Sequence, residues 1–162
     1  MKYAVLLALV TLTWLQASTS SSANYTVSVT RKSSNLYKVD GQDVFIETRY
    51  CYVYAYSEES IINSSGHDDK LIFFHSNEHC DIKAVFGAAA IGHGEYYITV
   101  SHEDEDWYEV DGQGYFVRTC CCLSLALGES AYLTIGPYGF GTLRFDDGDE
   151  CTVEGIYAKL RL

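Results

Sequence analysis

Positive charge is scarce in this chain: 11 Lys and Arg face 22 Asp and Glu, for a formal net charge of −11. Such a balance repels phosphate backbones and anionic headgroups, which argues against nucleic acid or an anionic membrane face as partner. It suits cationic proteins, calcium or mineral surfaces, and plain solubility. Long apolar runs are also missing, apart from Tyr3 to Leu15. That run is shorter than the roughly 18–20 residues a bilayer span needs, so no membrane span is expected. Lys2 precedes it and the small polar stretch Ala17 to Ala23 follows it. Together they read as a secretory leader over residues 1–20, cleaved between 17 and 23, and place the protein outside the cell.

The patterns of catalysis are absent as well. No Gly-x-Ser-x-Gly elbow occurs, and Gly136-Pro137-Tyr138-Gly139-Phe140-Gly141 lacks the lysine of a phosphate-binding loop. No pair of Cys-x-x-Cys motifs stands at zinc spacing. The histidines are His67, His75, His79, His93 and His102. His75 and His79 sit four apart on a segment that reads as strand and turn, where that interval does not bring side chains together as a helix would. The chain therefore reads as non-catalytic, with no cofactor. Helix signals are few; the short stretches 57–62 and 86–91 are the candidates, and neither is long enough to stand alone.

What is present is internal repetition. Residues 24–91 and 95–162 align without a gap at a constant offset of 71. Tyr25 falls on Tyr96, Val29 on Val100 and Tyr37 on Tyr108; Val39-Asp40-Gly41-Gln42 falls on Val110-Asp111-Gly112-Gln113. Phe45, Thr48, Ala55 and Phe74 meet Phe116, Thr119, Ala126 and Phe145, while Cys51 lands on Cys122 and Cys80 on Cys151. Positions kept in both copies are those the fold demands. The expected fold is all-β: two tandem homologous repeats, each a small sandwich or barrel-like unit, joined by Gly92-His93-Gly94 and too closely tied to wander independently. A repeat of this size is near the lower limit for a self-sufficient core. One bridge in each, Cys51–Cys80 and Cys122–Cys151, would relieve that.

Within each repeat, Tyr25–Thr30 and Tyr96–Ser101 alternate like strands, and Asp40-Gly41 and Asp111-Gly112 read as hairpin turns. The longest expected strands run over 43–56 and 114–127. One face carries Val44, Ile46, Thr48, Tyr50, Tyr52, Tyr54 and Tyr56, matched by Tyr115, Val117, Thr119, Cys121, Leu123, Leu125 and Leu127. Because leucines replace tyrosines in the second copy, this face is assigned to the core, in preference to an exposed stacking platform. The opposite face, which holds Cys51 and Cys122, is expected to be partly solvated.

Several residues stand apart from the repeat. Cys120 and Cys121 match Arg49 and Tyr50, and are open to three fates: a vicinal bridge, free thiols with Cys121 buried, or an intermolecular disulfide. Asn24-Tyr25-Thr26 and Asn63-Ser64-Ser65 are glycosylation sequons, with Asn63 on a turn-rich loop. Asp146, Asp147, Asp149 and Glu150 form a weak calcium candidate, lacking the EF-hand pattern. A second acidic run covers His102 to Asp106. The functional expectation is an acidic structural or interaction component of an extracellular matrix, with mineral or cationic protein as partner. The alternative is a carbohydrate- or protein-recognition module using tyrosines 96, 97, 108 and 138.

Overall fold

The computed structural model describes residues 22–162 except His67, Glu105 and Leu123, with Asp104 described through its backbone only. The expected leader, residues 1–20, lies outside the described residues. No described helix is long and apolar enough to cross a membrane. Twelve strands make up the fold: β1 (Ala23–Ser33), β2 (Leu36–Val39), β3 (Val44–Arg49), β4 (Glu58–Ser64), β5 (Lys70–Phe73) and β6 (His79–Ala88), then β7 (Gly94–Asp104), β8 (Trp107–Val110), β9 (Tyr115–Cys120), β10 (Leu127–Ile135), β11 (Gly141–Phe145) and β12 (Glu150–Leu160). The two stretches considered for helix are strand at their cores, since 58–62 belongs to β4 and 86–88 to β6.

All pairings are antiparallel. The first six strands follow the order β6-β3-β2-β1-β4-β5, and β5 closes back on β6. Three consecutive strands with the fourth laid beside the first make a Greek key. The other six follow β12-β9-β8-β7-β10-β11, and β11 closes on β12. Each set is thus a six-stranded barrel, closed along the first residues of β6 or β12. Registers agree as well: Val29 faces Val39 in one barrel and Val100 faces Val110 in the other. The Asp-Gly turns form where expected, with Gly41 at φ 73° and Gly112 at φ 71°, a region glycine enters without steric cost.

The barrels are joined edge to edge by β6 and β12, from Val85 opposite Leu160 to Ala88 opposite Tyr157. Gly87 lies under the Leu160 side chain, where an added Cβ would stand 2.9 Å from a leucine methyl. Each barrel has its own core, one around Tyr37, Ile46, Leu71 and Phe73, the other around Tyr108, Val117, Leu143 and Phe145. A third cluster, Leu36, Phe45, Phe86, Trp107, Phe116 and Tyr157, fills the space between them. Phe86 stacks on Trp107 at 5.0 Å and meets Phe116 edge-on at 4.9 Å. Phe45 packs edge-on against both Trp107 and Tyr157. Strand β3 is therefore buried on both faces, Ile46 into its own barrel and Phe45 into the junction.

The disulfides are Cys51–Cys80 and Cys122–Cys151, each closing a sequence separation of 29. Each ties the segment after β3 or β9 to β6 or β12. The expected long strands 43–56 and 114–127 do not form. Ladder pairing stops at Arg49 and Cys120, where the next residues, Tyr50 and Cys121, take φ values of 51° and 61°. One left-handed residue breaks the alternation of the strand, and every following side chain changes face.

Candidate functional site

The change of face creates the most distinctive surface on the molecule. Asn35 pins the end of β3: its carbonyl accepts from the Thr48 N–H at 2.7 Å and its side-chain oxygen from the Cys51 N–H at 2.7 Å. Beyond that anchor, Cys51, Val53 and Ala55 point inward and are 1%, 9% and 2% exposed. The segment is held against the barrel from beneath. The buried Tyr37 hydroxyl donates to the Val53 carbonyl at 2.7 Å, and the Arg31 N–H donates to the Ala55 carbonyl at 2.9 Å. The Ser57 N–H closes the segment on the Thr30 hydroxyl at 3.0 Å.

Alternation then sends Tyr50, Tyr52, Tyr54 and Tyr56 outward, 86%, 77%, 77% and 77% exposed. Sequence alternation places these four residues in the core; they form a solvent-facing ribbon instead. The reason is the left-handed step at Tyr50, which moves the shared Cys51 and Ala55 to the inside. Alternate residues of an extended chain are about 7 Å apart, so the ribbon spans about 20 Å. Phenol rings offer flat apolar faces, and each hydroxyl can donate and accept. A shallow cleft of about 540 Å³ adjoins the first two rings, lined further by Asn77, Glu78 and His79.

The second barrel builds the same scaffold with other chemistry. The Tyr108 hydroxyl donates to the Ser124 carbonyl, and the His102 N–H donates to the Ala126 carbonyl at 2.8 Å. Leu125 and Leu127 point outward, 75% and 84% exposed, where the first barrel presents Tyr54 and Tyr56. Cys121, for which the sequence leaves burial open, is exposed. Burial pushes the Tyr37 phenol up to about 12 and raises Tyr108 as well, so both hydroxyls stay neutral donors that clamp their segments.

Other sequence candidates fall elsewhere. Tyr108 is fully buried, which removes it from the proposed tyrosine surface, and Tyr96 is half-buried with its hydroxyl on the Gly92 carbonyl. Tyr97 and Tyr138 are exposed, and Tyr97 packs on Tyr132 at 4.9 Å. Asp146, Asp147 and Asp149 occupy the exposed β11–β12 turn and Glu150 opens β12; one Asp147 oxygen accepts the Asp149 N–H at 3.0 Å. Among the described residues no group of three or more His, Cys, Asp or Glu side chains converges to hold a metal ion.

Asn63 lies in β4 rather than on a loop, directly across from Asn24 in β1, and its side-chain amide donates to Asn24 at 2.6 Å. A cleft of about 420 Å³ also opens between the barrels, beside Tyr138 and Phe140. Its charges are engaged with each other, Lys38 with Asp43 at 3.3 Å and Arg118 with Glu154 at 2.9 Å. The four ribbon rings stand largely in solvent, as do Leu125, Leu127, Tyr138 and Phe140 elsewhere. No family model matches this chain, and no curated protein or solved structure matches it.

Proposed function

We propose that the protein is a secreted, matrix-associated recognition module without catalytic activity, and that its ligand is an extended carbohydrate chain laid along Tyr50, Tyr52, Tyr54 and Tyr56. The observation that carries this reading is the exposure of four aromatic rings on alternate residues of a segment anchored from below by a disulfide and two hydrogen bonds. Large aromatics are costly to leave in water unless a partner covers them. A regular row of rings suits a polymer of repeating rings: apolar sugar faces stack on the phenols while the hydroxyls pair with sugar oxygens. We also read the two barrels as copies of one ancestral module, supported by the matching strand order and registers, with the ligand surface developed in the first copy.

The test is binding to a panel of polysaccharides by affinity electrophoresis and a glycan array. The double variant Tyr52→Ala, Tyr54→Ala, which alters no buried contact, is expected to weaken binding tenfold or more, about 1.4 kcal/mol or above. Binding of a protein and no glycan through the same rings would replace the carbohydrate with a peptide ligand. Unchanged glycan binding in the double variant would remove the ribbon from the function.

A second reading rests on the acidic turn at Asp146 to Glu150 and the net charge of −11. In that reading the module also contacts calcium mineral through exposed carboxylates of the second barrel. Calorimetric titration with calcium that gave no heat, together with no retention on hydroxyapatite, would dismiss it.

A further inference from the structure

The corner that exposes Tyr50 in the first barrel is occupied by a pair of cysteines in the second. Cys120 ends β9 and Cys121 follows it with a φ of 61°. Neighbouring side chains on a regular strand point to opposite faces, so adjacent thiols ordinarily cannot meet. Here the left-handed step at Cys121 turns its side chain back, and the two sulfurs stand 2.7 Å apart, inside non-bonded sulfur contact. Tyr50 has the same backbone conformation at φ 51° without any sulfur chemistry. The fold itself therefore supplies the bend, and the second barrel places two thiols on it. Cys121 is exposed and Cys120 half-buried, while the four other cysteines are committed to the structural bridges.

We infer that Cys120 and Cys121 form a reversible vicinal dithiol–disulfide site, closed by thiol–disulfide exchange with a small disulfide of the glutathione type. The exposed Cys121 thiolate attacks one sulfur of the glutathione disulfide, forming a mixed disulfide and expelling one glutathione thiolate. The Cys120 thiolate then attacks the Cys121 sulfur, forms the Cys120–Cys121 bond and expels the second glutathione thiolate. Two electrons pass from the protein thiols to the small disulfide, and the two thiol protons go to the expelled thiolates through water. The contact with Cys121 raises the Cys120 thiol above its ordinary value, and the neighbouring Glu154 and Asp106 carboxylates act in the same direction. The exposure of Cys121 and the partial burial of Cys120 make Cys121 the attacking group and Cys120 the resolving one.

The experiment starts from secreted protein in which both structural bridges are intact and Cys120 and Cys121 are reduced. It is equilibrated with glutathione disulfide, quenched in acid, alkylated and mapped by mass spectrometry without reduction. The expected result is loss of both alkylatable thiols, no retained glutathione, monomeric protein, and unchanged Cys51–Cys80 and Cys122–Cys151 peptides. Cys120→Ser is expected to stop at a stable glutathione adduct, having no resolving thiol, and Cys121→Ser, which lacks the attacking thiol, to take up glutathione more slowly. Retained glutathione on the wild-type pair, thiols that stay alkylatable, disulfide-linked dimers, or bridges from Cys120 or Cys121 to Cys122 or Cys151 would each overturn the inference. The wild-type map decides the matter even if a variant folds poorly.

Discussion

Tyr37 shows how one side chain carries both stability and the shape of the proposed binding surface. It is fully buried, and its hydroxyl meets the Val53 carbonyl at 2.7 Å and the Cys51 sulfur at 3.2 Å. Replacing it by phenylalanine keeps the packing and strands a buried carbonyl, a loss of about 1–3 kcal/mol. Tyr37→Phe is expected to lower the midpoint of urea unfolding by that amount while leaving the slope unchanged. The phenol also sets an alkaline limit. Its folded value of about 12 lies above a phenol's ordinary value of 10.0, so the fold favours the neutral form. The resulting stability is complete below the unfolded value and is lost as pH rises from there through the folded one. Unfolding midpoints measured across that interval should fall for wild type and less steeply for Tyr37→Phe; parallel curves would show that Tyr37 is not the titrating group.

The segment after β3 is an element outside the ladder, held by anchors rather than by strand pairing. Cys51 is covalently fixed to Cys80 on β6. Breaking that bridge with the double variant Cys51→Ser, Cys80→Ser should cost about 3–4 kcal/mol in the chain-entropy model. It should also raise hydrogen exchange across 51–57 and weaken glycan binding, because the ring row loses its foundation. Equal exchange in both proteins would show that Tyr37 and Asn35 hold the segment without the bridge.

The same element marks what sequence could and could not tell. Alternation located β1 and the first half of β3, the Asp-Gly turns followed from glycine's tolerance of positive φ, and cysteine spacing located both bridges. The face of the tyrosines was misread because a left-handed Tyr50 carries no glycine to announce it. A signal was nonetheless present. The residues common to both halves, Cys51 with Cys122 and Ala55 with Ala126, alternate out of phase with the tyrosines, and shared positions belong inside. The burial of Phe45 was not readable from its own strand, since the surface that covers it comes from the other barrel.

At the scale of the whole molecule, the two barrels meet at the β6–β12 pairing and at the aromatic cluster, and the cluster decides whether they unfold together. Phe86 lies on β6, at the seam, and touches Trp107 and Phe116 from the second barrel. The chain holds 2 tryptophans, Trp14 in the expected leader and Trp107 in the cluster. In protein lacking residues 1–20, tryptophan fluorescence thus reports the junction alone, whereas far-ultraviolet circular dichroism reports strands in both barrels. Wild-type protein is expected to show coincident transitions by the two probes, the mark of a single cooperative unit. Phe86→Ala removes the stacked ring at a cost of about 3–5 kcal/mol, yet keeps the reporter and both barrel cores. Fluorescence should then change at lower denaturant than dichroism, as the junction opens before the barrels melt. Transitions that remain coincident in the variant would mean that the β6–β12 pairing, and not the aromatic cluster, couples the two halves.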